Sequence, residues 1–376
     1  MNTPPTRSGV NATTGWDNMP EHEPTASSAG PIAQRRRLLG AAAVLGAALF
    51  TGCSTPGTGD RARRPANGAT RPPAALNDPS IGGAIVEVLD FEWLDTARDR
   101  LVPVRLFMPQ QATAAPLVVF SHGLGGSRTG YSHLGRYWAS HGVATLHPQH
   151  AGSDRAVWSG GGLAMLGSLR AAATPENAIA RVNDVRFVID QVFSRGQWAE
   201  RLDPNRVGVA GHSFGANTAL LACGARYREG DGRIASFGDT RIRAAVVMSA
   251  PSLPSDQDPA FAYSSIGVPT LHLTGTLDST PIPGLSTMPE ERRIPFDSLA
   301  AGPRYLGIFE GGRHSMFNDW ARDATSESIK TETRALSLAF WRSTFFQDRA
   351  AAQLLKAPSR ERPALAQLLA AWEAQA

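Results

Sequence analysis

"RVGVAGHSFGANTALLACG", residues 206–224, passes from an apolar run into a helix-like one through Gly211-His212-Ser213-Phe214-Gly215. The apolar run, 206–211, is predicted as a strand, and 214–225 as a helix. A tight bend between them needs small residues, and glycine at 211 and 215 supplies them. The spacing is G-x-S-x-G, a common string on its own. Its context, an apolar strand before and a helix after, is what a nucleophile elbow demands. Such a turn forces Ser213 into a strained backbone conformation and lifts its hydroxyl clear of the sheet. The helix N-terminus behind it favours negative charge developing there.

A serine hydroxyl is a weak nucleophile until a base takes its proton. The motif therefore requires an acid and a histidine later in the chain, in the order Ser, Asp or Glu, His. "VPTLHLTGTLD" (268–278) ends an apolar strand with Asp278 just beyond it. "RYLGIFEGGRHSMF" (304–317) ends the next strand with His314 in a Gly-rich loop. Asp256 and Asp258 compete for the acid's role but lie in a Pro-rich loop. His122, His147, His150 and His212 are poorer bases, since they fall in the first half of the sheet or in the elbow. In "PLVVFSHGLGGSR" (116–128) a strand opens into a loop that can aim backbone N–H groups inward. Leu124 N–H and Phe214 N–H are the expected oxyanion donors. His122 is expected to be structural in that loop.

Outward from the elbow, strand and helix alternate. Ala84–Trp93 and Leu101–Met108 form a predicted hairpin. Strands follow at 116–120, 143–148, 242–250, 268–275 and 304–311, with helices at 131–142, 175–193 and 330–347. Ile179, Val182, Val185, Ile189 and Val192 fall at three- and four-residue steps, one face of a helix. Alternation of this kind predicts an α/β fold, a mostly parallel central sheet with helices on both faces and its site at the carboxyl ends of the strands. The catalytic domain is expected over 79–350, with an Ala/Leu-rich helical tail over 351–376. The loop 151–174 and the long connection 279–301 are expected to shape the pocket. Trp158 either lines that pocket or packs its loop.

Composition narrows the function class. Of 37 basic residues 35 are arginine, and the formal charge is +4. Of that, +1 falls before Cys53, +2 on 53–78 and +1 on 79–376. A nearly neutral body gives no electrostatic case for a nucleic-acid partner. "RRRLLGAAAVLGAALFTGC" (35–53) reads as an export leader. Its 13-residue apolar run, Leu38–Phe50, is short for a membrane span, which needs roughly 20 residues. Arg35-Arg36 followed by Leu38-Leu39 is similar to a twin-arginine motif. Phe50-Thr51-Gly52-Cys53 is similar to a lipobox, with phenylalanine where leucine is usual, and makes Cys53 the expected lipidation site. Met19 is an alternative start. Residues 54–78 read as a flexible tether, so the expectation is an exported, envelope-tethered or secreted protein. With Cys53 lipidated, Cys223 has no disulfide partner, and no Cys-x-x-Cys metal motif occurs. No metal or organic cofactor is expected.

The chain resembles the serine α/β-hydrolases, and among them the platelet-activating factor acetylhydrolase-like and predicted dienelactone hydrolase-like esterases. "SHGLGGSRTGYSHLGRYWASHG", "GHSFGANTAL", "HLTGTLD" and "GGRHS" carry the resemblance, which covers roughly 80–345. Bacterial polyester hydrolases and cutinases share the layout. The resemblance implies Ser213 as nucleophile, Asp278 as orienting acid and His314 as base. It also implies Leu124 and Phe214 as the oxyanion pair, with short-chain, lipid or polymer esters as substrates. Dienelactone hydrolases use a cysteine nucleophile where this chain has Ser213, which sets lactone cleavage aside. A peptidase or transacylase would use the same nucleophile chemistry, and a non-catalytic surface module can be built on the same fold.

Overall fold

Val207–Ala210 is buried at the centre of a nine-stranded sheet in the computed structural model, which describes residues 83–159, 162–229, 231–254, 256–280 and 287–375. The strands are β1 (Val86–Asp95), β2 (Arg100–Pro109), β3 (Ala115–Ser121), β4 (Ala144–Pro148), β5 (Leu202–His212), β6 (Arg226–Arg228), β7 (Ile234–Ser236), β8 (Ile242–Met248), β9 (Thr270–Leu277), β10 (Arg304–Arg313) and β11 (Leu369–Gln375). The main sheet runs β1-β2-β4-β3-β5-β8-β9-β10-β11, and β6 pairs with β7 in a separate hairpin. β4, β3, β5, β8, β9 and β10 are parallel, flanked by antiparallel pairings of β1, β2 and β11. The helices are α1 (Ser132–Ser140), α2 (Gly162–Ala172), α3 (Pro175–Ser194), α4 (Gly196–Ala199), α5 (Phe214–Ala222), α6 (Pro259–Tyr263), α7 (Ile294–Asp297), α8 (Ala324–Phe346), α9 (Arg349–Lys356), α10 (Pro358–Glu361) and α11 (Pro363–Ala366). The expected architecture, a mostly parallel sheet with helices on both faces, is the one observed.

β3 shows why the sheet reads as apolar runs rather than alternation. All seven of its residues are buried, because helices cover both faces. Leu117 and Val119 point into one core with Val182, Val185 and Ile189 of α3 and Ala216 and Leu220 of α5. Val118 and Phe120 point into the other with Leu134 and Trp138 of α1 and Leu336, Phe340 and Trp341 of α8. Fully burying one such aliphatic side chain contributes about 1.5–3 kcal/mol. The α3 helix starts where its sequence says: Thr174 caps Asn177 N–H and Pro175 occupies the first turn. In the second core Trp138 and Trp341 meet edge-on, and Trp138 Nε1 donates to Ser337 Oγ at 3.0 Å.

Two expectations need correction. The segment 351–376 is not a helical tail. Prolines 358 and 363 break it into α9, α10 and α11, and its last residues form β11, antiparallel to β10. The helix-favouring Ala/Leu composition yields to the edge of β10, whose backbone groups need partners. Trp372 fixes the strand by packing on Tyr305 and donating to Leu355 O at 3.0 Å. The expected loop 151–174 carries a 3-10 turn, Arg155–Trp158, and the helix α2. The leader, Cys53 and the tether to residue 78 lie outside the described residues. Among the described residues no helix is long and apolar enough to cross a membrane.

Candidate active site

β5 ends at His212, and Ser213 follows with φ 56° and ψ −123° before α5 begins. Its N–H still donates to Met248 O at 2.9 Å, so the strand ladder carries directly into the bend. The flanking glycines are required by contact. A Cβ at Gly211 would strike the carbonyl of Gly215, and a Cβ at Gly215 would strike the carbonyl of Ser121. The closeness of α5 to the end of β3 thus depends on the second glycine.

The three residues expected from the sequence meet. Ser213 Oγ lies 2.9 Å from His314 Nε2, and His314 Nδ1 lies 2.8 Å from Asp278 Oδ1. An ionised Asp278 can only accept, so Nδ1 carries the proton and Nε2 offers its lone pair to the serine hydroxyl. Asp278 stands one residue past β9, and His314 one past β10. Asp256 and Asp258 take no part, and Asp258 instead caps α6.

Asp278 is fully buried and heavily supported. Its Oδ2 accepts from Ser249 Oγ at 2.5 Å and Thr274 Oγ1 at 2.8 Å. Burial pushes its pKa up. The hydrogen bond and charge of His314, the guanidinium of Arg292 and the Ser249 hydroxyl outweigh that and hold it down, at about 2. Arg292 Nε is 3.3 Å from Asp278 Oδ1 and donates to the Asp278 carbonyl at 3.1 Å. Its Nη1 donates to Ser249 O and Ala250 O, and its Nη2 to Thr280 Oγ1. One arginine therefore ties the loops after β8 and β9 together. Nothing in the polar string "PEERR" (289–293) marks the third of its charged residues for burial, and sequence reasoning missed Arg292. Ser249 and Thr274 were missed for the same reason: hydroxyls at strand ends are too common to signal a role.

His212 orients rather than reacts. Its Nε2 donates to His314 O at 3.0 Å, and its Nδ1 accepts from Tyr131 Oη at 2.7 Å. Burial, then the neighbouring His314, lowers its pKa well below the ordinary value, so the ring is neutral. Tyr131 is held in turn with φ 58° by its N–H, which donates to Asp319 Oδ2 at 2.6 Å.

Leu124 and Phe214 both line the cleft with Ser213 and His314. The Gly123–Leu124 peptide is fixed from its carbonyl side. Gly123 O accepts from Gly126 N–H at 3.0 Å and from His122 Nδ1 at 2.7 Å. His122 Nε2 accepts the His150 N–H, which leaves the ring proton on Nδ1. His122 is fully buried and its pKa is pushed well down, first by burial and then by Arg181. It is the structural residue of this loop, as expected. Arg181, from α3, is buried behind it. Burial lowers its pKa to about 9 and leaves it cationic at neutral pH.

The cleft has a volume of about 1370 Å³. Both segments expected to shape it do so: Arg155, Trp158 and Leu169 line one side, Thr287 and Arg292 another. Trp158 does both things proposed for it, since it lines the cleft and donates to Gly125 O at 2.7 Å. Among the described residues no group of three or more His, Cys, Asp or Glu side chains is gathered closely enough to hold a metal ion.

The family model of platelet-activating factor acetylhydrolase, isoform II, matches residues 102–159 and 163–277. That range contains Leu124, Ser213 and Phe214 and stops one residue short of Asp278. The chain is also similar to a platelet-activating factor acetylhydrolase from Canis lupus familiaris, 27% identical over 173 residues, covering 38% of this chain and 36% of the relative. The chain thus aligns with little more than a third of the length of that relative. Strand order, elbow and family match agree on an α/β-hydrolase fold, similar over residues 102–277 to the platelet-activating factor acetylhydrolases.

Proposed function

We propose that the chain is a serine carboxylic-ester hydrolase that works through an acyl-enzyme on short-chain acyl esters of lipid-type alcohols. The observation that carries this is the continuous hydrogen-bonded path from Ser213 Oγ through His314 to a buried, ionised Asp278. His314 Nε2 takes the serine proton as Oγ attacks the ester carbonyl. Leu124 N–H and Phe214 N–H receive the oxyanion, and losing one such donor costs about 10²–10³ in rate in comparable sites. His314 then protonates the leaving alcohol. A water activated by the same ring releases the acid and frees the serine. Asp278 holds the ring in the required tautomer and stabilises the imidazolium. The lipid-type alcohol is suggested by the name of the relative and by a cleft larger than a bare acetyl group needs.

Labelling the full chain with a fluorophosphonate probe, with Ser213→Ala alongside, tests the reading. Covalent labelling and ester turnover in the wild type, both lost in a folded Ser213→Ala, are expected. A folded wild type that takes up no probe and cleaves no ester would overturn it and favour the non-catalytic module. Rates on 4-nitrophenyl acetate against longer acyl esters then read the acyl limit. Export with lipid attachment at Cys53 is part of the proposal, supported by the leader sequence. Its test is metabolic labelling with palmitate, which Cys53→Ser should abolish.

A further inference from the structure

Behind the elbow lies a cation that the reaction above does not use. Arg181 is fully buried. Its Nε donates to Thr218 Oγ1 at 3.0 Å and its Nη1 to Ser153 Oγ at 2.8 Å. Its Nη2 donates to Ser121 Oγ at 3.0 Å and to the carbonyl of His122. The guanidinium carbon lies 4.8 Å from the centroid of the Phe214 ring. Every one of these partners is neutral. Asp184, one turn further along α3, is taken up by Arg98, Arg100 and His150. Among the described residues no carboxylate lies within ion-pair distance of Arg181. Asp184 and Asp154 act on the guanidinium only from beyond contact, and a buried charge without a contacting counter-ion is costly to keep, so its place needs a reason.

The place is informative. The His122 carbonyl belongs to the loop that presents Leu124 N–H, and the Phe214 ring belongs to the residue that presents the other N–H. Arg181 therefore holds both walls of one small pocket, one through the backbone and one through a ring face. The same guanidinium also reaches Ser153 beyond β4 and Thr218 in α5. Three segments, the end of β3 with its loop, the loop after β4, and α5, are tied to a single planar group.

We infer that Arg181 is a positioning residue of the oxyanion hole, locking the His122–Leu124 loop and Phe214 into one frame and setting positive potential where the tetrahedral intermediate becomes negative. The inference rests on the ester-hydrolase reading above. The oxyanion formed when Ser213 adds to the carbonyl brings negative charge to a site whose guanidinium has no contacting carboxylate in the resting protein. Its benefit is realised in the transition state and not in substrate binding, which sets what must be measured.

The test uses the full chain with Arg181→Met and Arg181→Lys. Three quantities are read: kcat and KM on 4-nitrophenyl acetate, the fraction of serines titrated by fluorophosphonate, and the affinity of a trifluoromethyl ketone. That ketone adds Ser213 Oγ to its carbonyl carbon, giving a hemiketal oxyanion and leaving the serine proton on His314. In folded Arg181→Met, kcat should fall about 10²–10³-fold with KM held within about threefold, and the ketone should weaken by a similar factor. Arg181→Lys keeps the charge but cannot span the same acceptors. It should recover part of the loss, leaving kcat about three- to tenfold below wild type at constant KM. A folded Arg181→Met with kcat within about threefold of wild type overturns the inference. So does a loss carried by KM while ketone affinity stands. If Arg181→Met does not fold, Arg181→Lys decides: a kcat loss at constant KM supports the inference and wild-type kcat overturns it. If neither variant folds, Arg181 is a folding residue and the inference falls. A wild type that neither titrates nor turns over ester fails the hydrolase reading itself. A fully active wild type with indifferent variants fails only this inference.

Discussion

Tyr131 Oη donates to Nδ1 of His212, 2.7 Å away, and that ring's opposite nitrogen holds the backbone carbonyl of His314. A phenol on the loop after β3 thus sets the height of the candidate base above the sheet. Tyr131→Phe removes the donor and leaves His212 Nδ1 buried without a partner. A stability loss of about 1–3 kcal/mol is expected, read by urea denaturation. kcat should drop about tenfold at constant KM, because the His314 backbone loses its fixed partner. An unchanged kcat would show that His314 is held by its own loop alone.

Asp278→Asn replaces an acceptor-only group by one that can present N–H to His314. The ring then favours the wrong tautomer, and a kcat loss of about 10⁴ with KM little changed is expected. The same change leaves Arg292 buried without its carboxylate neighbour, so stability should fall by about 3 kcal/mol. Stopped assays and chemical denaturation separate the two effects.

The order Ser213, Asp278, His314 was legible because each residue sits where an apolar run stops, and a parallel sheet delivers all such ends to one side. The supports were not legible, because they come from pairs distant in sequence with no local signature. Arg181 lies 59 residues from the carbonyl it holds, and Arg292 reaches back 43 residues to Ser249. The tail was misread for the opposite reason. Its composition carried a strong local preference, and the open edge of β10 overrode it. Leu124 and Phe214 as the oxyanion donors remain a proposal from the motif and the chain path, since a backbone donor needs no particular side chain.

Glycines 215 and 167 should answer alanine substitution with opposite signs. At 215 the new Cβ meets the Ser121 carbonyl, which is backbone and cannot swing away. Gly215→Ala should lose about 3 kcal/mol. At Gly167, within α2, a Cβ meets nothing within 4 Å, and alanine should gain about 0.5–1 kcal/mol. Denaturant midpoints measured side by side decide both.

Five buried histidines make the fold acid-sensitive. His147 and His272 are lowered to about 3 and His150 to about 4, while His122 and His212 lie well below the ordinary value, with burial the main cause in each case. The unfolded chain binds protons at these rings once the pH drops below about 6.5, and the folded chain does not. Stability is therefore complete above that pH and is lost as pH falls toward the folded values. The slope is about 1.4 kcal/mol per pH unit for each ring. Cooperative unfolding near pH 5, with uptake of about four to five protons, is expected from pH-dependent denaturation. Uptake near zero would mean the rings are charged in the folded protein.

Ser213 occupies a backbone conformation, φ 56° and ψ −123°, that glycine adopts freely and other residues adopt at a cost of about 1–3 kcal/mol. Ser213→Gly should then be more stable than the wild type, while Ser213→Ala keeps the strain. A population of variants selected for protease resistance alone would drift toward glycine at this position and lose the hydroxyl. Under the proposed mechanism the hydroxyl's chemistry is what opposes that drift, so the elbow would trade stability for its nucleophile.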